Sequence, residues 1–259
     1  MKATPSPPPR RPAATAPVLA AAALLAVLTA GCGSGRGAGG TGTPSSEASS
    51  LVPSPARLVV TTDGGLRLRP AAGDEVEVDR RVGRHWSRHA GTWVLDLSCP
   101  PPSGGPCPRM PEVDVPADTA VTVSARNAGV DAAGVRGTLT LATVNGDVTV
   151  TRSGGDAAAV RLETRNGSVR ATDVRARVLH AETVNGDVTL DCAGAPVGIT
   201  ATTTNGSVRA IVPHDAPAYR VTGTTVNGRA TAAPPTRAGG DGPAMTLGSV
   251  NGDVTAGRD

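Results

Sequence analysis

The residues of this 259-residue chain that could do chemistry are four cysteines, four histidines and a recurring aspartate. Cys99 and Cys107 flank the seven residues PPPSGGP. In an oxidising compartment that spacing reads as a disulfide closing a small loop. His85 and His89 lie nearby in an Arg-rich stretch, so a Cys2His2 zinc site has to be weighed. Zinc sites of that type carry tighter cysteine pairs and a helix for the histidines, whereas Pro and Gly surround these cysteines. The disulfide is favoured, and neither a metal site nor a cofactor is expected. Cys192 has no partner in the pattern and reads as a small buried residue. The aspartates belong to one column: Asp147, Ser168, Asp187, Ser207, Arg229 and Asp253. Calcium wants six to eight oxygens, and this column supplies few. Carboxylates about 9–10 Å apart on alternate strands fall in the range of inverting glycosidases. Such enzymes need a groove with sugar-stacking aromatics, and the repeat region offers only Tyr219. The column is therefore expected to be structural, with Ser between the Asp residues to separate like charges. No nucleophile motif or phosphate loop is present, and no catalytic residue is expected.

The elements that position this column follow from its neighbours. Six Asn-Gly pairs recur at Asn145-Gly146, Asn166-Gly167, Asn185-Gly186, Asn205-Gly206, Asn227-Gly228 and Asn251-Gly252, spaced by 21, 19, 20, 22 and 24 residues. A period near 20 residues marks a stacked array whose units cannot bury an apolar face alone. Two places before each Asn stands a hydroxyl: Thr143, Thr164, Thr183, Thr203, Thr225 and Ser249. Three places after it stand Val148, Val169, Val188, Val208, Ala230 and Val254. Small apolar residues alternate with polar ones on either side, the period-2 signature of strands with one face buried. Two architectures fit. Each repeat is one coil of a β-solenoid, or each Asn-Gly is a type I′ hairpin turn. The narrow spread of repeat lengths favours coils. In that arrangement the hydroxyls form an internal ladder, the Asn side chains stack inside beside them, and Gly turns the corner. A degenerate unit, Ser124-Ala-Arg-Asn-Ala-Gly-Val130, would make a further entry-side coil. Upstream, strand-like runs at 58–62, 66–69, 75–79, 92–98 and 112–115 suggest an N-terminal β-strand cap, with Trp93 in its core.

The N-terminus carries a different message. Lys2, Arg10 and Arg11 precede an apolar run from Val18 to Thr29, too short to span a bilayer and shaped like a secretory signal. It ends Leu28-Thr29-Ala30-Gly31-Cys32, which resembles a bacterial lipoprotein signal, with Thr29 where Leu is preferred. That resemblance implies cleavage before Cys32 and lipidation of its thiol, as by palmitate. Residues 33–56 are a Gly/Ser/Pro/Thr tract that cannot bury enough apolar surface to order itself and reads as a tether. Of 25 basic residues three leave with the signal, so 22 face 22 acidic groups in the mature chain. The isoelectric point near 8.9 is thus a property of the discarded peptide. With no Phe, two Trp and one Tyr, nucleic-acid binding is not expected. Lys2 is the only lysine, an arginine bias seen in proteins of GC-rich genomes such as those of actinobacteria.

The stretch from Arg57 onward resembles the bacterial adhesin-like β-helix family known as domain-of-unknown-function family 4097. The residues that carry the resemblance are the T-x-N-G-[DS]-V units and the preceding Val113-Asp114-Val115-Pro116. It implies an all-β, single-domain β-solenoid of ~20-residue coils in the cell envelope, and it brings no activity. The expected organisation is a signal over 1–31, a tether over 32–56, a cap over 57–120 and the repeat solenoid over 121–259. The expected function is a membrane-anchored extracytoplasmic lipoprotein, held at the cell membrane by lipid on Cys32. Its solenoid would be a scaffold or adhesin-like surface for an envelope protein or cell-wall glycan. The alternatives are a polysaccharide-acting β-helix enzyme and an accessory or sensor subunit of an envelope complex.

Overall fold

The computed structural model describes residues 52–53, 55–99, 107–233, 236 and 239–259. The expected signal, the tether and Cys32 lie outside the described residues. In chain order the strands begin with β1 (Val52–Pro53), β2 (Arg57–Thr62), β3 (Leu66–Pro70), β4 (Glu75–Val78), β5 (Gly83–His89), β6 (Thr92–Ser98) and β7 (Glu112–Val115). Next come β8 (Ala120–Ser124), β9 (Val130–Ala133), β10 (Leu139–Ala142), β11 (Val148–Thr151), β12 (Ala159–Glu163), β13 (Val169–Val174) and β14 (Val178–Glu182). The last are β15 (Val188–Cys192), β16 (Gly198–Asn205), β17 (Val208–Val212), β18 (Arg220–Asn227), β19 (Ala230–Ala232), β20 (Ala244–Asn251) and β21 (Val254–Arg258). There is no helix among the described residues.

The two strands that flank each Asn-Gly lie in different sheets, which excludes the hairpin architecture. One sheet has ten strands and the other eleven, and each coil gives one strand to each. Within the coils the pairings are parallel and keep like residues in register around the Asn-Gly corners, as Leu139↔Val160↔Leu179↔Ile199 and Val148↔Val169↔Val188↔Val208 illustrate. Differences in repeat length are absorbed away from the Asn-Gly corners, for example at the register shift between Ala171 and Val174. Parallel strands buried between two sheets need apolar residues only on the inward parity. Val148, Val150, Val160, Leu162, Leu179 and Leu190 meet that need and are all at most 1% exposed. Small residues face large ones (Ala181 shares a coil with Leu190), so the gap between the sheets stays narrow.

The N-terminal region contributes more than a cap. Strands β2/β3 and β6/β7 form two further coils, parallel to and in register with β8/β9. Among the described residues antiparallel pairing occurs only at this end, where β5 edges β6, and β4 and β1 extend the sheet beyond β7. The core does not take Trp93 in fully; it is half-buried and meets Trp86 edge-on at 6.1 Å. β6 is the last coil strand of its sheet, so only β5 remains to cover that indole.

Coil order departs from sequence order. The stack runs β6/β7, β2/β3, β8/β9, β10/β11, β12/β13, β14/β15, β16/β17, β20/β21 and finally β18/β19. The coil of Asn251 therefore sits between those of Asn205 and Asn227, so the spatial order of the Asn-Gly pairs differs from their sequence order. The physical reason lies in the side chains. β20/β21 carries Met245, Leu247 and Val254, each at most 1% exposed and each worth roughly 1.5–3 kcal/mol of burial. β18/β19 offers Gly223, Ala230 and Ala232, which lose little by standing exposed at the end.

Candidate functional site

The chemistry-bearing residues of the repeats meet along one edge, where the chain turns from one sheet to the other. Each hydroxyl of the Thr column donates to a backbone carbonyl of the neighbouring coil at 2.8 Å. Thr164 reaches Gly146, Thr183 reaches Gly167, Thr203 reaches Gly186, Ser249 reaches Gly206 and Thr225 reaches Gly252. Thr143 reaches the carbonyl of Ala128 in the degenerate coil. The expected internal ladder is thus one of hydroxyl to carbonyl. Glycine is required because coils approach closely here: a Cβ on Gly167 would lie 2.1 Å from the Gly146 oxygen.

The Asn side chains do not lie inside, as expected from the sequence, but form an exposed ladder. Asn166 donates its Nδ2–H to Asn145 Oδ1, Asn185 to Asn166, Asn205 to Asn185, Asn251 to Asn205 and Asn227 to Asn251, at 2.7–2.9 Å. The inward position is already filled by Thr two residues earlier. An amide that keeps both its donor and its acceptor paired along the stack loses nothing by facing water.

The aspartate column completes the corner. Asp147 Oδ1 accepts the Ser168 amide, Asp187 Oδ1 the Ser207 amide and Asp253 Oδ1 the Arg229 amide, at 2.7–2.8 Å. Ser168 and Ser207 accept the amides of Asp187 and Asp253 through their hydroxyls at 3.2–3.3 Å. The exchange of the last two coils makes the spatial order Asp147, Ser168, Asp187, Ser207, Asp253, Arg229. Like charges are then never adjacent.

Other expected residues fall elsewhere. Cys99 and Cys107 form a disulfide, with Cα atoms 5.7 Å apart. It borders a groove of about 330 Å³ lined by Thr62, Asp63, Val82, Leu97 and Pro111. With both thiols bonded to each other, His85 and His89 have no cysteine partners for zinc. Cys192 is a free, buried thiol, pushed up to about 12 by desolvation. Tyr219 is fully buried and donates to the Pro196 carbonyl at 2.7 Å, and burial pushes its phenol up to about 12. It presents no face to a sugar. On the return-loop side, Arg136, Arg152, Asp156, Asp173 and Arg175 line a groove of about 500 Å³.

One group escaped the sequence reading. On the outer face of the ten-stranded sheet, Glu163 of β12 and His180 and Glu182 of β14 bring three ligand-type atoms within 4.8 Å of one another. Sequence spacing gave no sign of it, because no local motif links Glu163 to His180. The parallel register supplies the signal: Arg161 pairs with His180 and Glu163 with Glu182, so applying the coil offset to outward residues brings them together.

The profile of the Toastrack DUF4097 family matches residues 117–237. A comparison with curated proteins returns no match. Among solved structures, a candidate cell adhesion protein from Clostridium sporogenes is 8% identical, with a TM-score of 0.38, over 81% of this chain and 97% of its own. A candidate adhesin from Bacteroides fragilis is 12% identical, with a TM-score of 0.48, over 82% of this chain and 98% of its own. Residues 117–237 are thus similar to the Toastrack DUF4097 family.

Proposed function

We propose that this protein is a non-catalytic display scaffold, anchored on the extracytoplasmic face of a membrane through lipid on Cys32. Its stacked coils hold a polar, adhesin-like surface toward an envelope protein or a cell-wall glycan. The observation that carries this reading is the corner ladder. Hydroxyls, Asn amides and Asp carboxylates of the repeats are engaged in coil-to-coil hydrogen bonds, so they hold the array together. The buried Tyr219 disfavours a polysaccharide-cleaving enzyme. What remains free for recognition is the outward face of each sheet. On the eleven-stranded sheet this includes Thr149, Arg170, Thr189 and Arg209, alternating coil by coil. The lipobox-like Leu28-Thr29-Ala30-Gly31-Cys32 and the Gly/Ser tract after it support the anchoring.

The test is membrane fractionation of cells expressing Cys32→Ser beside the unaltered chain. Release of the variant into the soluble extracytoplasmic fraction is the expected result, and unchanged retention refutes the lipid anchor. Cross-linking in intact cells, followed by mass spectrometry, identifies the class of partner. Recovery of one defined membrane complex in fixed ratio would instead favour the accessory-subunit role.

A further inference from the structure

We infer that Glu163, His180 and Glu182 form a binding site for a zinc-class divalent metal ion on the outer face of the ten-stranded sheet. The site is independent of membrane anchoring and of the partner. Its three side chains come from two adjacent parallel strands, whose pairing is fixed through Arg161↔His180 and Glu163↔Glu182. His180 Nε2 lies 3.5 Å from Glu182 Oε2 and 4.0 Å from Glu163 Oε1. Ligand atoms of a tetrahedral zinc ion stand about 3.4 Å apart, given bond lengths near 2.0–2.2 Å. Small side-chain rotations therefore suffice to seat an ion.

A second observation points the same way. His180 Nε2 is shielded from solvent and has no hydrogen-bond partner, whereas Glu163 Oε1 is met by the Arg161 guanidinium. Enclosed polar atoms without partners are uncommon in native structures and call for an explanation such as an ion. The donor set selects the class of ion. One imidazole and two carboxylates suit zinc and its neighbours, whereas calcium and magnesium take oxygen shells. Three protein ligands leave a fourth position facing outward, open to water or to a donor from another molecule.

The surroundings permit this occupancy. Arg161 ion-pairs with Glu163, but its side chain is half exposed and can swing toward solvent. In the register, Thr140 and Thr200 flank the Arg161–His180 row, and Ala142 and Thr202 flank the Glu163–Glu182 row, so the strands on either side place uncharged residues beside both rows. Strands in the interior of a stacked sheet hold the ligands on a rigid base, which a site of this precision needs.

Isothermal titration of the purified full-length protein with zinc chloride tests the site. The expected result is uptake of one ion per chain, with affinity falling by more than about tenfold in His180→Ala and in Glu182→Gln. The paired variant His85→Ala/His89→Ala should bind as the unaltered protein does. Circular dichroism of each variant confirms that the β structure is retained, as expected for outward residues. A protein that takes up no zinc overturns the site. So does a folded His180→Ala variant that binds as tightly as the unaltered chain, or loss of binding in the His85/His89 variant alone.

Discussion

Thr183 and Gly167 are joined across a single step of the stack, and the two residues fail in different ways when changed. Thr183→Val keeps the shape but removes the hydroxyl that donates to the Gly167 carbonyl at 2.8 Å. A half-buried carbonyl left unpaired costs toward the lower end of about 1–3 kcal/mol. Urea denaturation should show a loss in that range, with the fold intact. Gly167→Ala is a steric change, because the new Cβ would meet the Gly146 oxygen at 2.1 Å and neither backbone can yield without breaking coil register. Its loss should exceed that of Thr183→Val in the same titration. Equal effects would mean that the coils are free to separate at the corner.

At the scale of elements, the exchanged coils make the strongest prediction. Deleting residues 244–259 removes β20 and β21, which sit inside the stack and bury Met245, Leu247 and Val254. Strands β18 and β19 would lose the partners they pair with, and β16 and β17 would be uncovered. The deletion should lower Tm far more than deletion of a terminal coil would, as scanned by circular dichroism. Much of this architecture was legible in the sequence. The repeat period, the inward Thr and Val columns and the Cys99–Cys107 pairing could each be read from residue type and spacing. The coil order was written there too, because Asp and Ser alternate without a break only if Asp253 follows Ser207. That cue is a relation between distant repeats and has no local signature. The exposure of Asn145 and its counterparts was hidden for another reason. Period-2 alternation assigns faces within strands, and these residues stand at or beyond the strand ends, where the chain turns. The grouping of Glu163, His180 and Glu182 depends on coil offset in the same way.

Across the whole molecule, stability should depend on pH through two carboxylates of the eleven-stranded sheet. Burial raises the Asp114 carboxyl above its ordinary 3.8, with Glu112 and Glu77 adding to the shift and Arg69 opposing it. Asp191 is raised by burial, then by Asp173 and Asp259, against Arg209. A folded-state value above the unfolded one means that the native protein holds the proton more tightly. Stability contributed by the protonated forms is therefore complete below pH 3.8 and declines as pH rises through the raised values. Asp114→Asn and Asp191→Asn should raise Tm at pH 7 and leave it unchanged below pH 3.8; a lower Tm at pH 7 would reverse the sign. The Asn ladder acts over the same length. Five of its six amides donate, all in one direction, from Asn227 toward Asn145. Six aligned amide dipoles add as peptide dipoles do in a helix. One long edge of the protein is thereby electrically polarised, positive where the Asn145 Nδ2 points onward and negative at the Asn227 oxygen. An ion or charged polymer drifting along that edge meets a field that tells it which end of the rod it is approaching.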